Sequence, residues 1–198
     1  MSYRTLAAGA ALLGCLAIAP TVVHQVYRAE PVMHSVLVGP EGSLETNITL
    51  GEPSKKGRIK LDVSRSDGFS ETVELLQANA YPAEGGGLEY MFPTNTERRS
   101  YPWSDEKPVD YVDAEYINDV KVYKFANEQT SVWVEPKSGT LVDLHTHGAR
   151  WDEATKQRQW DVAYPHIRAL KILDVTRYFG FLIAAGLIIT GVVRKMRS

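Results

Sequence analysis

Hydrophobic positions fall into distinct regimes along this chain. Leu6–Val26 and Tyr178–Val193 are nearly unbroken apolar runs, and much of the stretch between them alternates apolar with polar residues. Alternation with a period of two marks half-buried strands. An apolar run of about 20 residues is long enough, as a helix, to cross the ~30 Å hydrocarbon core of a bilayer.

The stretch that organises the middle of the chain is Ser131–His147, SVWVEPKSGTLVDLHTH, where two alternating runs flank a Pro-Lys-Ser-Gly turn. It predicts a β-hairpin. Arg58–Ser64 alternates cleanly, with Ile59, Leu61 and Val63 on one face. Met33–Val38, Leu44–Leu50 and Val120–Phe125 predict further strands, as do the short pieces Val109–Val112 and Tyr116–Ile117. Glu71–Ala80 fits a strand or a short helix, and its place in a meander after the Asp67-Gly68 turn favours a strand. Gly51–Gly57 and Tyr81–Gly87 carry the glycines and prolines of connecting loops. Arg150–Asp161 predicts one more hairpin, with Trp151 and Trp160 on its arms. From His166 onward the apolar spacing turns helical and leads into the second apolar run.

These elements predict a membrane-anchored, mainly antiparallel β extracytoplasmic domain flanked by two transmembrane α-helices. The expected division is an N-terminal transmembrane helix over residues 1–27, a β-rich domain over 28–165, and a C-terminal helix with a basic tail over 166–198. An uncleaved first helix is favoured. Ala17-Ile18-Ala19 resembles a cleavage site, but Pro20 follows it directly, and the chain after Cys15 stays apolar where a lipid-anchored protein turns polar. Arg4 precedes the first run, and Arg194, Lys195 and Arg197 follow the second. The preference of positive charge for the cytoplasmic side then predicts a plasma-membrane protein with both termini inside.

Charge separates the middle from the ends. All 24 acidic residues and 18 of the 22 basic ones lie between 28 and 177, an excess of six acids. A nucleic-acid-binding surface is therefore not expected. The single cysteine, Cys15, sits in the first apolar run, so the domain between the runs must hold together without disulfides.

Candidate chemistry is sparse. His145 and His147 share one face of their strand, but no third metal ligand stands at a telling spacing. The acidic pairs Asp105/Glu106, Asp110/Asp113 and Asp152/Glu153 read as solvated surface. No nucleophile elbow, phosphate loop or dinucleotide fingerprint occurs. No enzymatic role, cofactor or metal is expected. Aromatic residues are denser, with Tyr101, Trp103, Tyr111, Tyr116, Tyr123, Phe125 and Trp133 inside 33 residues. Alternation sends Val132 and Val134 to one face of the hairpin and Trp133 to the other, so Trp133 needs a cover of its own. Tyr101, Trp103 and Trp133 are the candidate contacts for a lipid or a partner.

Three segments also carry a resemblance. Phe92-Pro-Thr-Asn-Thr-Glu-Arg-Arg-Ser-Tyr101-Pro-Trp-Ser-Asp105, Tyr123-Lys-Phe125 and Val132-Trp-Val-Glu-Pro-Lys-Ser-Gly139 follow in order and spacing. Together they resemble the actinobacterial family named after the porin PorA. The chain departs from that family's pattern at Ser104 and at Lys137-Ser138. The resemblance implies an extracytoplasmic β-rich domain between two helices in an actinobacterial envelope. A lipid-facing barrel is not implied, because its strands need a continuous outward apolar band. The hairpin is similar, too, to one hairpin of half-barrel lipoprotein carriers. The function expected is a non-enzymatic accessory or scaffold subunit of a larger membrane assembly, respiratory or envelope-transporting. The alternative is a lipid-binding module of the cell envelope.

Overall fold

The structure, a computed structural model, describes residues 2–26, 31–51, 57–76, 81, 88–103 and 107–196. The chain divides into two compact units, residues 29–164 and residues 1–28 with 165–198.

In the first of these, nine strands form one antiparallel sheet: β1 (His34–Gly39), β2 (Gly42–Gly51), β3 (Arg58–Arg65), β4 (Ser70–Leu76), β5 (Asp110–Ile117), β6 (Val120–Ala126), β7 (Thr130–Glu135), β8 (Thr140–Thr146) and β9 (Ala149–Trp151). Their order across the sheet is β4-β3-β2-β1-β9-β8-β7-β6-β5. Almost every neighbour is also a sequence neighbour. The exception is β1 beside β9, which brings the two ends of the meander together through Leu37 and Trp151. β1 therefore starts, and β9 finishes, at the same end of the sheet.

The hairpin expected at Ser131–His147 is β7 and β8, with Pro136–Gly139 as its turn. The pieces expected at Val109–Val112 and Tyr116–Ile117 are one strand, β5, bulged between Tyr111 and Asp113. Glu71–Leu76 is strand, and Gln77–Ala80 lies outside the described residues, as do Glu52–Lys56, Pro82–Gly87 and Ser104–Glu106.

One face of the sheet is covered by the connection from β4 to β5. Leu88, Phe92, Tyr101 and Trp103 from that connection pack on Phe125, Val132, Val134 and Trp151. Met91 and Tyr90 close a second cluster over Ile48, Leu61, Val63 and Leu75. The connection is pinned by the β7–β8 turn. Thr96 N–H donates to the Pro136 carbonyl at 2.7 Å and Phe92 N–H to that of Gly139 at 3.3 Å. The turn is itself tied by the buried Glu135 carboxylate, which accepts from the Ser138 N–H and hydroxyl, both at 2.6 Å.

The hairpin expected over Arg150–Asp161 does not form. β9 ends at Trp151, and a helix, α2 (Glu153–Met196), begins two residues later. Asp152 supplies its cap, since its carboxylate accepts from the Thr155 N–H at 2.7 Å and its carbonyl from the Lys156 N–H at 3.1 Å. The Thr155 hydroxyl in turn accepts from the Val36 N–H at 3.0 Å, tying the first turn to β1.

The second unit holds α1 (Ser2–Val26) and α2 from Pro165 onward. α2 is long and apolar enough to cross a membrane, whereas the apolar stretch of α1 is the shorter Ala7–Ala19. Gly9 lies against Ile188 and Ala184, and Gly180 lies against Leu16. At both places a glycine lets the two helices approach closely. The side chains of Arg4, Arg194 and Lys195, and all of Arg197, lie outside the described residues.

Candidate functional site

The sheet register builds a groove from residues two apart on adjacent strands. Ser35 lies opposite Thr46, Leu37 opposite Leu44, and Gly39 opposite Gly42. On the far side of β1, Leu37 meets Trp151. Thr46 also pairs with Arg65 of β3. The floor is thus three rungs: a polar one (Arg65, Thr46, Ser35), an apolar one (Leu44, Leu37, Trp151) and a small one (Gly42, Gly39, Ala149). The small rung leaves no room to spare, because a Cβ on Gly39 would sit 2.9 Å from that of Ala149. Glu89, Tyr90 and Trp103, all from the connection between β4 and β5, also line this space of about 720 Å³. A concavity of this size with an apolar floor and a few polar groups is the usual form of a small-molecule site.

Electrostatics at the groove favour the acid side. Arg65 pairs with Asp67 and lies over the Phe69 ring, 5.0 Å from its centroid. Asp67 is held below the ordinary carboxylate range by the backbone N–H of Phe69, with Arg65 adding to the effect. The Tyr90 hydroxyl donates to Glu71 at 2.6 Å. Burial, reinforced by that bond, pushes the phenol well above its usual value, so it stays protonated and serves as a fixed donor. Glu89 and Glu41 complete the acidic lining.

The three aromatic residues expected as ligand contacts do not converge. Tyr101 is buried in the core, its ring edge-on to Phe125 at 5.4 Å. Trp103 is the one that lines the groove. Trp133 lies on the face turned away from Val132 and Val134, and it is only 8% exposed. Its cover consists of side chains on neighbouring strands. The Lys124 ammonium sits 4.8 Å from a ring centroid of Trp133, and the His145 ring packs edge-on at 4.9 Å. The indole N–H donates to Glu115 at 2.9 Å. Asp143 joins this cluster to α2 through Lys156 at 3.2 Å. His145 thus belongs to the cover of Trp133, and among the described residues no group of three His, Cys, Asp or Glu side chains is placed to hold a metal.

The floor residues of the groove carried a signal in the sequence. Ser35, Leu37 and Gly39 are mirrored about the Pro40-Glu41 turn by Gly42, Leu44 and Thr46. The intervening Val36 and Val38 are the more apolar set, and Val38 is nevertheless 46% exposed.

No profile of a known protein family matches the chain. Among curated proteins, it is similar to a porin PorA of Corynebacterium resistens, with 28% identity over an alignment of 114 residues. That alignment takes in 50% of this chain and 28% of the relative, so the chain spans much less than two thirds of the protein it matches. The similarity supports a distant porin-like relation. The sheet described here is open, with β4 and β5 as its edges.

Proposed function

We propose that the chain is a non-enzymatic, membrane-anchored binding module that holds an apolar or amphiphilic molecule in the groove over β1 and β2. One observation carries this reading: a space of about 720 Å³ floored by Leu37, Leu44 and Trp151. Leu37 and Leu44 are only partly buried there, in a domain whose large inner side chains, Trp151 among them, are otherwise packed. The distant similarity to an actinobacterial porin and the apolar α2 support a cell-envelope setting, with the β unit outside the plasma membrane and both termini in the cytoplasm. The accessory-subunit reading draws on exposed apolar side chains of α2, such as Ile172, Phe179 and Ile189, but lipid alone covers a transmembrane helix. The groove reading is therefore preferred.

The test is to express the full chain in an actinobacterial host, transfer it to amphipol and analyse the bound lipid by mass spectrometry. One lipid class should be retained at close to one molecule per chain, and Leu44→Arg should remove it. Retained lipid that matches the bulk membrane in both proteins would overturn the reading.

A further inference from the structure

We infer that the groove selects a single-chain lipid with an uncharged, oxygen-bearing headgroup, of the monoacylglycerol kind, seated with its oxygens on the Ser35–Thr46–Arg65 rung. This inference rests on the binding function proposed above and concerns which ligand that site takes.

The first argument is hydrogen bonding. Ser35 and Thr46 are each only 8% exposed, and both line the groove. Neither hydroxyl makes a side-chain hydrogen bond with a described residue, and neither is enclosed, so both are open to a partner in the groove. The two residues stand directly opposite each other on β1 and β2. Side chains at such positions have their Cβ atoms about 5 Å apart, so one ligand group can reach both. Next in the same rung is Arg65, which also lines the groove. Hydroxyls that both donate and accept match an ester or alcohol oxygen.

The second argument is charge. The charged and titratable side chains lining the groove among the described residues are Arg65, Asp67, Glu89, Glu41 and His147, and Asp67 pairs with Arg65. Three carboxylates against one guanidinium disfavour a phosphate or carboxylate. The third argument is size. A space of about 720 Å³ lies in the range of small-molecule sites, and one acyl chain with a glycerol is a ligand of that class. The apolar rung beside the polar one then takes the start of the chain, against Leu37, Leu44 and Trp151.

Tryptophan fluorescence provides the test, because all four tryptophans lie between residues 103 and 160, outside the apolar runs. The full chain in amphipol is titrated with the 9,10-dibromostearoyl ester of glycerol and, separately, with 9,10-dibromostearate at pH 8. Bromine on a chain in the groove quenches Trp103 and Trp151. The ester should quench saturably and at lower concentration than the acid. Ser35→Ala combined with Thr46→Val should weaken the ester about tenfold, the loss expected for two hydrogen bonds. Thr46→Ser, which keeps the hydroxyl, should bind like the parent. Equal binding by the double variant, or tighter binding of the acid, overturns this headgroup assignment and leaves the groove reading standing. If Leu44→Arg binds both probes like the parent, the groove reading falls and takes the assignment with it.

Discussion

Gly139 shows how much of this fold depends on one residue. It adopts a φ of +77°, and a Cβ there would sit 2.4 Å from the Phe92 carbonyl oxygen and 2.7 Å from that of Pro93. Both obstacles are backbone of the connection that covers the sheet, so neither can swing aside as a side chain would. Gly148 has nearly the same φ, +76°, but open space around its Cβ position. The two glycines therefore separate conformational strain from collision. Gly148→Ala should lower stability by about 1 kcal/mol, the strain of a left-handed alanine. Gly139→Ala should lose about 3 kcal/mol or more, because the Phe92 and Thr96 hydrogen bonds to the turn must give way as well. Thermal unfolding of the full chain in amphipol measures both, and equal losses would show that the turn does not clamp the connection. The expected loss at Gly139 includes part of the groove wall, since Trp103 lies on the connection that the turn holds.

Elements were legible wherever one face alone was buried. β3 was readable from Ile59, Leu61 and Val63, and β7 with β8 from their alternation around Pro136–Gly139, because a period of two survives as long as the opposite face is polar. The start of α2 was not legible, for a physical reason. Its buried positions begin with Thr155 and Gln159 and reach apolar residues only at Trp160 and Ala163. A helical stripe that opens on polar side chains does not register as hydrophobic periodicity, and Trp151 and Trp160 then look like arms of a hairpin. The remaining cue was the cap. Asp152 bonds the Thr155 side chain and N–H, which hold its carboxyl below the ordinary value of 3.8 against the opposing effect of burial. A carboxylate lowered in this way contributes stability above its unfolded pKa, and the contribution is lost as pH falls through the lowered folded value. Asp152→Ala should accordingly cost about 1 kcal/mol at pH 7, and the gap to the parent should narrow as the pH drops below ~4. Asp152→Asn, a cap that does not ionise, should stay close to the parent at pH 7. A gap for Asp152→Ala that is constant from pH 7 to pH 3 would show that the charged cap is not its source. The groove was only partly legible for a related reason. Trp103 was named from its aromatic character, whereas Ser35 and Thr46 became a pair only through the register of β1 on β2.

At the scale of the whole molecule, the decisive quantity is the number of times the chain crosses the bilayer. α1 has 25 residues, enough at ~1.5 Å each to span the ~30 Å core. Its apolar stretch, Ala7–Ala19, accounts for only about 20 Å of that length. We predict two crossings, and the topology is compatible with them, since β1 starts and β9 ends at the same end of the β unit. The close approaches at Gly9 and Gly180 argue the same way, since they give α1 a partner helix against which a short span is stabilised by packing. The positive charges Arg4 before the first apolar run and Arg194, Lys195 and Arg197 after the second predict that both termini face the cytoplasm. The expected outcome is read by labelling single cysteines in intact cells, on a Cys15→Ser background, with a maleimide that does not cross membranes. Thr72→Cys, on β4, should react in intact cells, whereas Ser2→Cys and Ser198→Cys should react only after lysis. Reaction of Ser2→Cys from outside, with Ser198→Cys still protected, would mean that α2 alone crosses and that α1 lies on the outer side. Gly9→Leu refines the result, because it forces α1 away from Ile188 and the Ala184 carbonyl. If packing against α2 is what holds α1 across the membrane, that variant should expose Ser2→Cys while leaving Ser198→Cys protected. Unchanged protection of both would show that α1 crosses on its own hydrophobicity.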